Sequence, residues 1–167
     1  MNSRDSIIQV LNFILFVAAQ VILFRNFVLF DTAFCFVYVG FLLLLPYETG
    51  PILLLLLALG TGLIVDIFYD TVGVHAAACV LLAFLRPVVM KTITPRGGYE
   101  GTVRLSMKSM GADWFITYAL VLIFAHHFAL FVLEASNWGL LWQSLLKALG
   151  STLFTGSVFL ILQYFKK

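Results

Sequence analysis

Six apolar runs divided by short polar breaks set the pattern of this chain: Ser6–Phe24, Thr32–Leu45, Pro51–Phe68, Val74–Met90, Asp113–Leu133 and Leu140–Phe165. Five of them approach or exceed the roughly 20 residues that a helix needs to cross hydrocarbon. Only helices and closed barrels satisfy the backbone in lipid, and no run alternates as barrel strands do, so each run is predicted to be a helix. The pattern therefore predicts an all-α fold, a polytopic membrane bundle of six transmembrane helices forming a single integral membrane domain over residues 1–167. The second run is short: closed by Pro46, it rises only about 21 Å as a helix, and is expected to begin earlier, thin the bilayer or pack obliquely. The last run exceeds one upright crossing, so Asn137 to Leu146 is expected partly in the interface. The first run follows Arg4 and contains Ala18-Ala19, yet it is longer than a signal h-region and large residues follow where a cleavage site would need small ones. It is read as a retained span.

Composition sharpens this picture. With 62% hydrophobic and 11% charged residues, and a mean hydropathy of +1.06, the chain lies far from the usage of soluble domains. A net charge of +2 over 167 residues, with no basic run, gives no footprint for nucleic acid. Cys35 and Cys79 fall in different apolar runs, where a thiol behaves as a small hydrophobe, and neither a disulfide nor a redox role is expected.

Charge also orients the runs. A cytoplasmic N-terminus puts Arg4, Lys91, Arg96, Arg104, Lys108, Lys166 and Lys167 inside, and leaves Arg25 and at most Lys147 outside, as the positive-inside rule requires. Both termini are then cytoplasmic. Asp31, Asp66, Asp70 and Glu134 fall toward the outer side, with Trp138 and Trp142 as an outer aromatic belt and Trp114 and Tyr164 as an inner one. The one long connection, the inner basic loop 91–112, carries the turn signal Pro95-Arg96-Gly97-Gly98. Val103, Met107 and Met110 then recur at helical spacing, with Arg104 and Lys108 on another face, as in a short amphipathic helix on the inner leaflet. Arg96, Arg104 and Lys108 are thus candidates for headgroup anchoring in the lipid bilayer or for docking a cytoplasmic protein. Arg86 in Arg86-Pro87 sits about one turn from the inner end of the fourth run, close enough to snorkel inward, while Pro87 should kink that helix.

Polar positions inside the runs carry the candidate chemistry, because ionisable groups in a membrane are costly and mark a packed interior, a cavity or a partner surface. Gln9, Asn12 and Gln20 form one stripe of the first helix, suited to helix–helix hydrogen bonds or to a transport path. Ala58 with Gly62, Ala76 with Cys79 and Ala83, and Thr152 with Gly156 give small-residue faces for close backbone approach. Asp66 and Asp70, four apart, fall on one helix face. Gly73 supplies a turn and His75 opens the next helix. Asp70 and Thr71 are expected to shape that turn while Asp66 pairs with a neighbouring helix; a cation on Asp66, Asp70 and His75 is the alternative, although the spacing matches no compact zinc pattern. His126 and His127 point about 100° apart, so only one is expected to face any given cavity. Buried hydrogen bonding is the default for both and a proton relay the alternative. His127 lies on the stripe of Glu134, which with the two histidines is a candidate for polar packing inside the membrane. No nucleophile triad, phosphate cradle or Cys-x-x-Cys is present, so no enzyme, no cofactor and no metal are expected.

The hairpin Gly62-x3-Asp66-x3-Asp70-x2-Gly73-x-His75-Ala76, within six short spans with both termini inside, resembles the MreD family of bacterial rod shape-determining membrane proteins. Pro46-Tyr47-Glu48, Ala83-Phe84-Leu85-Arg86-Pro87, Pro95-Arg96-Gly97-Gly98-Tyr99-Glu100, and His126-His127 with Leu133-Glu134-Ala135 resemble its Bacteroidetes-type members. The resemblance spans nearly the whole chain. It implies a non-enzymatic component of peptidoglycan elongation in the inner membrane, working with MreC, and through it with RodA, a class B penicillin-binding protein and, indirectly, MreB. It also implies a fold similar to the S-components of energy-coupling-factor transporters, and with that an alternative function as a vitamin-like small-molecule binding subunit. The hairpin positions Gly62, Asp66, Asp70, Gly73 and His75 match the family motif. Arg86 and the inner loop match only the subgroup.

Overall fold

The computed structural model describes residues 3–99 and 105–165. It is mostly helical, and five of its helices are long and apolar enough to cross a membrane by length and composition. In chain order these are α1 (Ser3–Ala19, continued by a π-helical turn Gln20–Phe24), α3 (Pro51–Tyr69), α4 (Val74–Thr92), α6 (Ala112–Ala135) and α7 (Leu141–Phe165). These are the helices of a multi-pass membrane protein, and their limits fall close to five of the six apolar runs. Helix α4 continues through Pro87 to Thr92. A 3-10 turn, Trp138–Leu140, leads directly into α7. Trp138 and Trp142 are largely exposed there. Helices α3 and α4 pack side by side, α4 packs on α6, and α6 on α7.

The second run is not a helix from Thr32 to Leu45. It opens as an antiparallel hairpin of β1 (Val28–Leu29) and β2 (Ala33–Phe34), with Val28 opposite Phe34 and Leu29 opposite Ala33. It then passes without regular secondary structure through Cys35 and Phe36, turns at Val37 and Tyr38, and ends in the short helix α2 (Val39–Leu43). Every residue from Cys35 to Leu45 is buried. The segment threads the middle of the bundle. Phe34 and Phe36 bond to Ser151 and Thr155 of α7, whereas Leu43 and Leu45 lie beside Tyr118 of α6 and Arg86 of α4 at the other end.

The reason is geometric. An extended residue advances roughly 3.3 Å against 1.5 Å for a helical one, so a part-extended chain covers a length that a helix of the same residues cannot. Non-helical backbone at that depth is tolerated only inside protein that supplies its hydrogen bonds. Here side chains supply them. Ser151 Oγ accepts from Phe34 N–H (2.9 Å) and Thr155 Oγ1 from Phe36 N–H (3.0 Å). Gln20 Nε2 donates to Cys35 O (3.0 Å), its Oε1 accepts from Tyr38 N–H (3.4 Å), and Tyr118 donates to Leu43 O (3.0 Å). Gly40 lies where the rings of Phe16 and Phe159 close on the segment, and a Cβ there would meet both at 2.7 Å.

The basic amphipathic helix expected around Val103 to Met110 is a single turn among the described residues. It is α5 (Met107–Met110), capped by Ser106, whose Oγ accepts from Ser109 N–H. Glu100, Val103, Arg104, Lys166 and Lys167 lie outside the described residues.

Candidate functional site

The α3–α4 hairpin is built around Asp66. Its Oδ1 accepts from His75 N–H (3.0 Å) and its Oδ2 from Ala76 N–H (3.0 Å), while Thr71 Oγ1 donates to Oδ1 (2.5 Å). One buried carboxylate on α3 thus caps the N-terminus of α4, where unpaired N–H groups and the helix dipole favour negative charge. Asp70 ends α3 in the left-handed region at φ 53° and Gly73 follows at φ 78°. Close approach needs Gly62, since a Cβ there would overlap the backbone of His75 and Ala76. The Gly62–Ala76 motif is therefore one structural unit. Asp70 itself is 89% exposed and pairs with Arg25 at 3.7 Å.

His75 is 3% exposed, and neither ring nitrogen has a hydrogen-bond partner. Its ring sits edge-on to Tyr69 (4.8 Å between centroids) and Phe36 (5.6 Å), at a cavity of about 280 Å3 that Arg25, Phe34, Phe131 and Glu134 also line. Glu134 is exposed at the end of α6, on the cavity rim, instead of joining intramembrane packing. Of the stripe on α1, Gln20 is fully buried and also bonds the Tyr69 hydroxyl (2.6 Å), tying the hairpin to the interior segment. Gln9 Oε1 is buried without a partner, and Asn12 is half-buried.

His126 and His127 are both fully buried and both touch the interior segment. Phe36 packs against both, with ring centroids 6.4 and 5.3 Å away, while the two imidazoles lie 5.2 Å from each other. Their Nδ1 atoms stand 3.2 Å apart, so one carries the shared proton; His126 Nε2 meets the Tyr38 hydroxyl (2.8 Å) and His127 Nε2 the Thr155 hydroxyl (3.0 Å). The angle of about 100° between neighbours on a helix separates two directions, yet the two rings still meet at their Nδ1 atoms and both touch Phe36.

Arg86 does not snorkel. It is 2% exposed; its Nε donates to the Tyr118 hydroxyl (2.8 Å) and its Nη2 to the carbonyls of Leu45 and Pro46, closing the end of the interior segment. Arg96 and Lys108 are exposed. In the adjoining loop, Tyr99 stacks on Tyr47 (4.6 Å) and donates to Met90 O (2.6 Å). Burial pushes its phenol pKa up, with hydrogen bonds to Trp114 and Thr94 opposing, which keeps it a donor. Trp114 Nε1 donates to Ile93 O (2.8 Å).

Sequence reasoning missed Tyr38, Tyr118, Ser151 and Thr155. The hydroxyls at 151 and 155 are four apart on one face of α7, a signal that could have marked a polar strip facing inward. Both cysteines are free and buried. Among the described residues no group of three or more His, Cys, Asp or Glu side chains is placed to hold a metal ion. Comparison with protein-family models, with curated proteins and with solved structures found no match.

Proposed function

We propose that this chain is a non-enzymatic scaffold and regulator of bacterial cell-wall elongation. In this reading it lies in the inner membrane with both termini cytoplasmic, holds MreC, supports RodA with its class B penicillin-binding protein, and reaches MreB indirectly. The observation that carries the reading is the use of the hairpin motif. Gly62, Asp66 and Gly73, which carry the resemblance to MreD, are spent on fixing the geometry of the α3–α4 turn. A motif used to shape an exposed turn, with Val72 almost fully exposed at its tip, suits a surface that another protein reads. The interior segment gives a sixth crossing in the reading, which keeps the termini on one side as the distribution of Lys and Arg favours. Deletion of the chain, or Asp66→Ala, should give rounded cells and depressed synthase activity in a rod-shaped host. Normal rods with normal synthase activity in both strains would sink the proposal.

One observation favours a second reading, a vitamin-like binding subunit on an S-component-like fold: the unpartnered His75 at its aromatic cavity. A vitamin panel should then raise the melting temperature saturably. A flat response across the panel would leave the scaffold reading alone.

A further inference from the structure

At the end of the bundle opposite the α3–α4 turn, a second cavity of about 550 Å3 opens between the start of α3, the end of α4 and the loop that follows. Arg86 forms part of its wall. A guanidinium this deeply buried normally faces a carboxylate, because an uncompensated charge out of water is costly. Among the described residues none lies within 4.0 Å of it. Its partners are a phenol and two carbonyls, all neutral, and they engage only Nε and Nη2. Nη1, with two of the five donors of the fork, is engaged by none of the described residues.

The rest of the lining has the same sign. Lys91 is exposed on the rim. Pro51, also in the lining, opens α3 but carries no N–H, and the N–H of Leu54, the next lining residue of that turn, is bonded to Gly50 O (2.9 Å), so the charge of this wall comes from the two cationic side chains. Tyr47 adds a phenol, and Leu54 and Met90 add an apolar wall. No described lining residue is acidic. A planar fork and an ammonium lining one space with no acidic neighbour among the described residues are the elements that recognise a tetrahedral oxyanion.

We propose that this cavity binds a phosphate group, held by Arg86 Nη1 and Lys91. The group can come from an anionic phospholipid headgroup, for which Leu54 and Met90 offer contact to the glycerol and upper acyl carbons, or from a free phosphate. Neither source depends on the scaffold reading.

The test uses the full chain in a neutral detergent at constant ionic strength. Melting is followed while titrating inorganic phosphate, short-chain phosphatidylglycerol, and the matching diacylglycerol, which lacks phosphate. A saturable rise with phosphatidylglycerol but not with inorganic phosphate identifies a lipid headgroup. A rise with inorganic phosphate identifies the free anion, and diacylglycerol should do nothing. Lys91→Gln, at an exposed position whose side chain makes no described hydrogen bond, should fold normally and weaken binding about three- to tenfold, and Arg86→Gln should abolish it. Should Arg86→Gln fail to fold, Lys91→Gln alone decides. The proposal is overturned if no phosphate-bearing probe shifts the melting temperature saturably, if diacylglycerol shifts it equally, or if Lys91→Gln binds as tightly as the parent.

Discussion

Asp66 and Arg86 are two buried charges that solve the same problem at opposite ends of the bundle with opposite polarity. Asp66 accepts from two backbone N–H groups and one hydroxyl. Arg86 donates to two backbone carbonyls and one hydroxyl. The first closes a turn between neighbours in sequence, since its partners lie within ten positions. The second holds a chain segment forty positions away. A local charge of this kind fixes a turn; a distant one fixes the path of an irregular segment through the core. The comparison also leaves a residue of difference: both carboxylate oxygens of Asp66 are engaged, whereas part of the Arg86 fork is not.

The largest effect is expected at Asp66. Asp66→Ala strands two buried N–H groups and the Thr71 hydroxyl, and should cost about 3–5 kcal/mol, seen as a large fall in melting temperature. Asp66→Asn keeps one acceptor but turns an amide NH2 toward a backbone donor, so it should recover only part of the loss. An undiminished melting temperature for Asp66→Ala would break the claim that this carboxylate builds the hairpin. Arg86→Gln should follow, at about 2–4 kcal/mol, with hydrogen exchange rising along residues 39–45 and not along the α3–α4 turn. Equal exchange in both regions would mean that the two charges do not act on separate elements.

Thr155→Val should cost about 1–3 kcal/mol, because it leaves the Phe36 N–H unpaired and removes a partner of His127. Combined with Asp66→Ala it should be nearly additive, since the two share no direct partner. A coupling above about 1 kcal/mol would instead point to Gln20, which bonds both Cys35 and Tyr69, as a rigid link between the regions. Asp70→Ala, which breaks only the exposed pair with Arg25, should stay within about 0.5 kcal/mol.

The same contrast explains what the sequence made legible. Five long helices could be read because uninterrupted apolar length is itself the signal; at the hairpin the motif pointed to Asp66 binding the neighbouring helix, while the capping expected of Asp70 falls to Asp66 itself. The segment from Thr32 to Leu45 could not. A fully buried apolar run has no polar face, so its composition does not separate a helix from an extended strand. What decides is hydrogen bonding from Gln20, Ser151 and Thr155, up to 121 positions away. Arg86 was misplaced for a related reason: nearness to a helix end suggests snorkelling, while the carbonyls that draw it inward belong to a segment whose path depends on the whole bundle. His126 and His127 point apart on a bare helix, yet they meet at their Nδ1 atoms and both pack on Phe36, a residue the pattern had put inside a different helix.

The proposal of a cell-wall scaffold is tested most directly by isolating the tagged chain from its native membrane in mild detergent and identifying the proteins that accompany it in stoichiometric amounts. Recovery of MreC, with or without RodA and its penicillin-binding partner, is the result expected. Recovery of an ATPase pair with a coupling subunit, and no MreC, would contradict it.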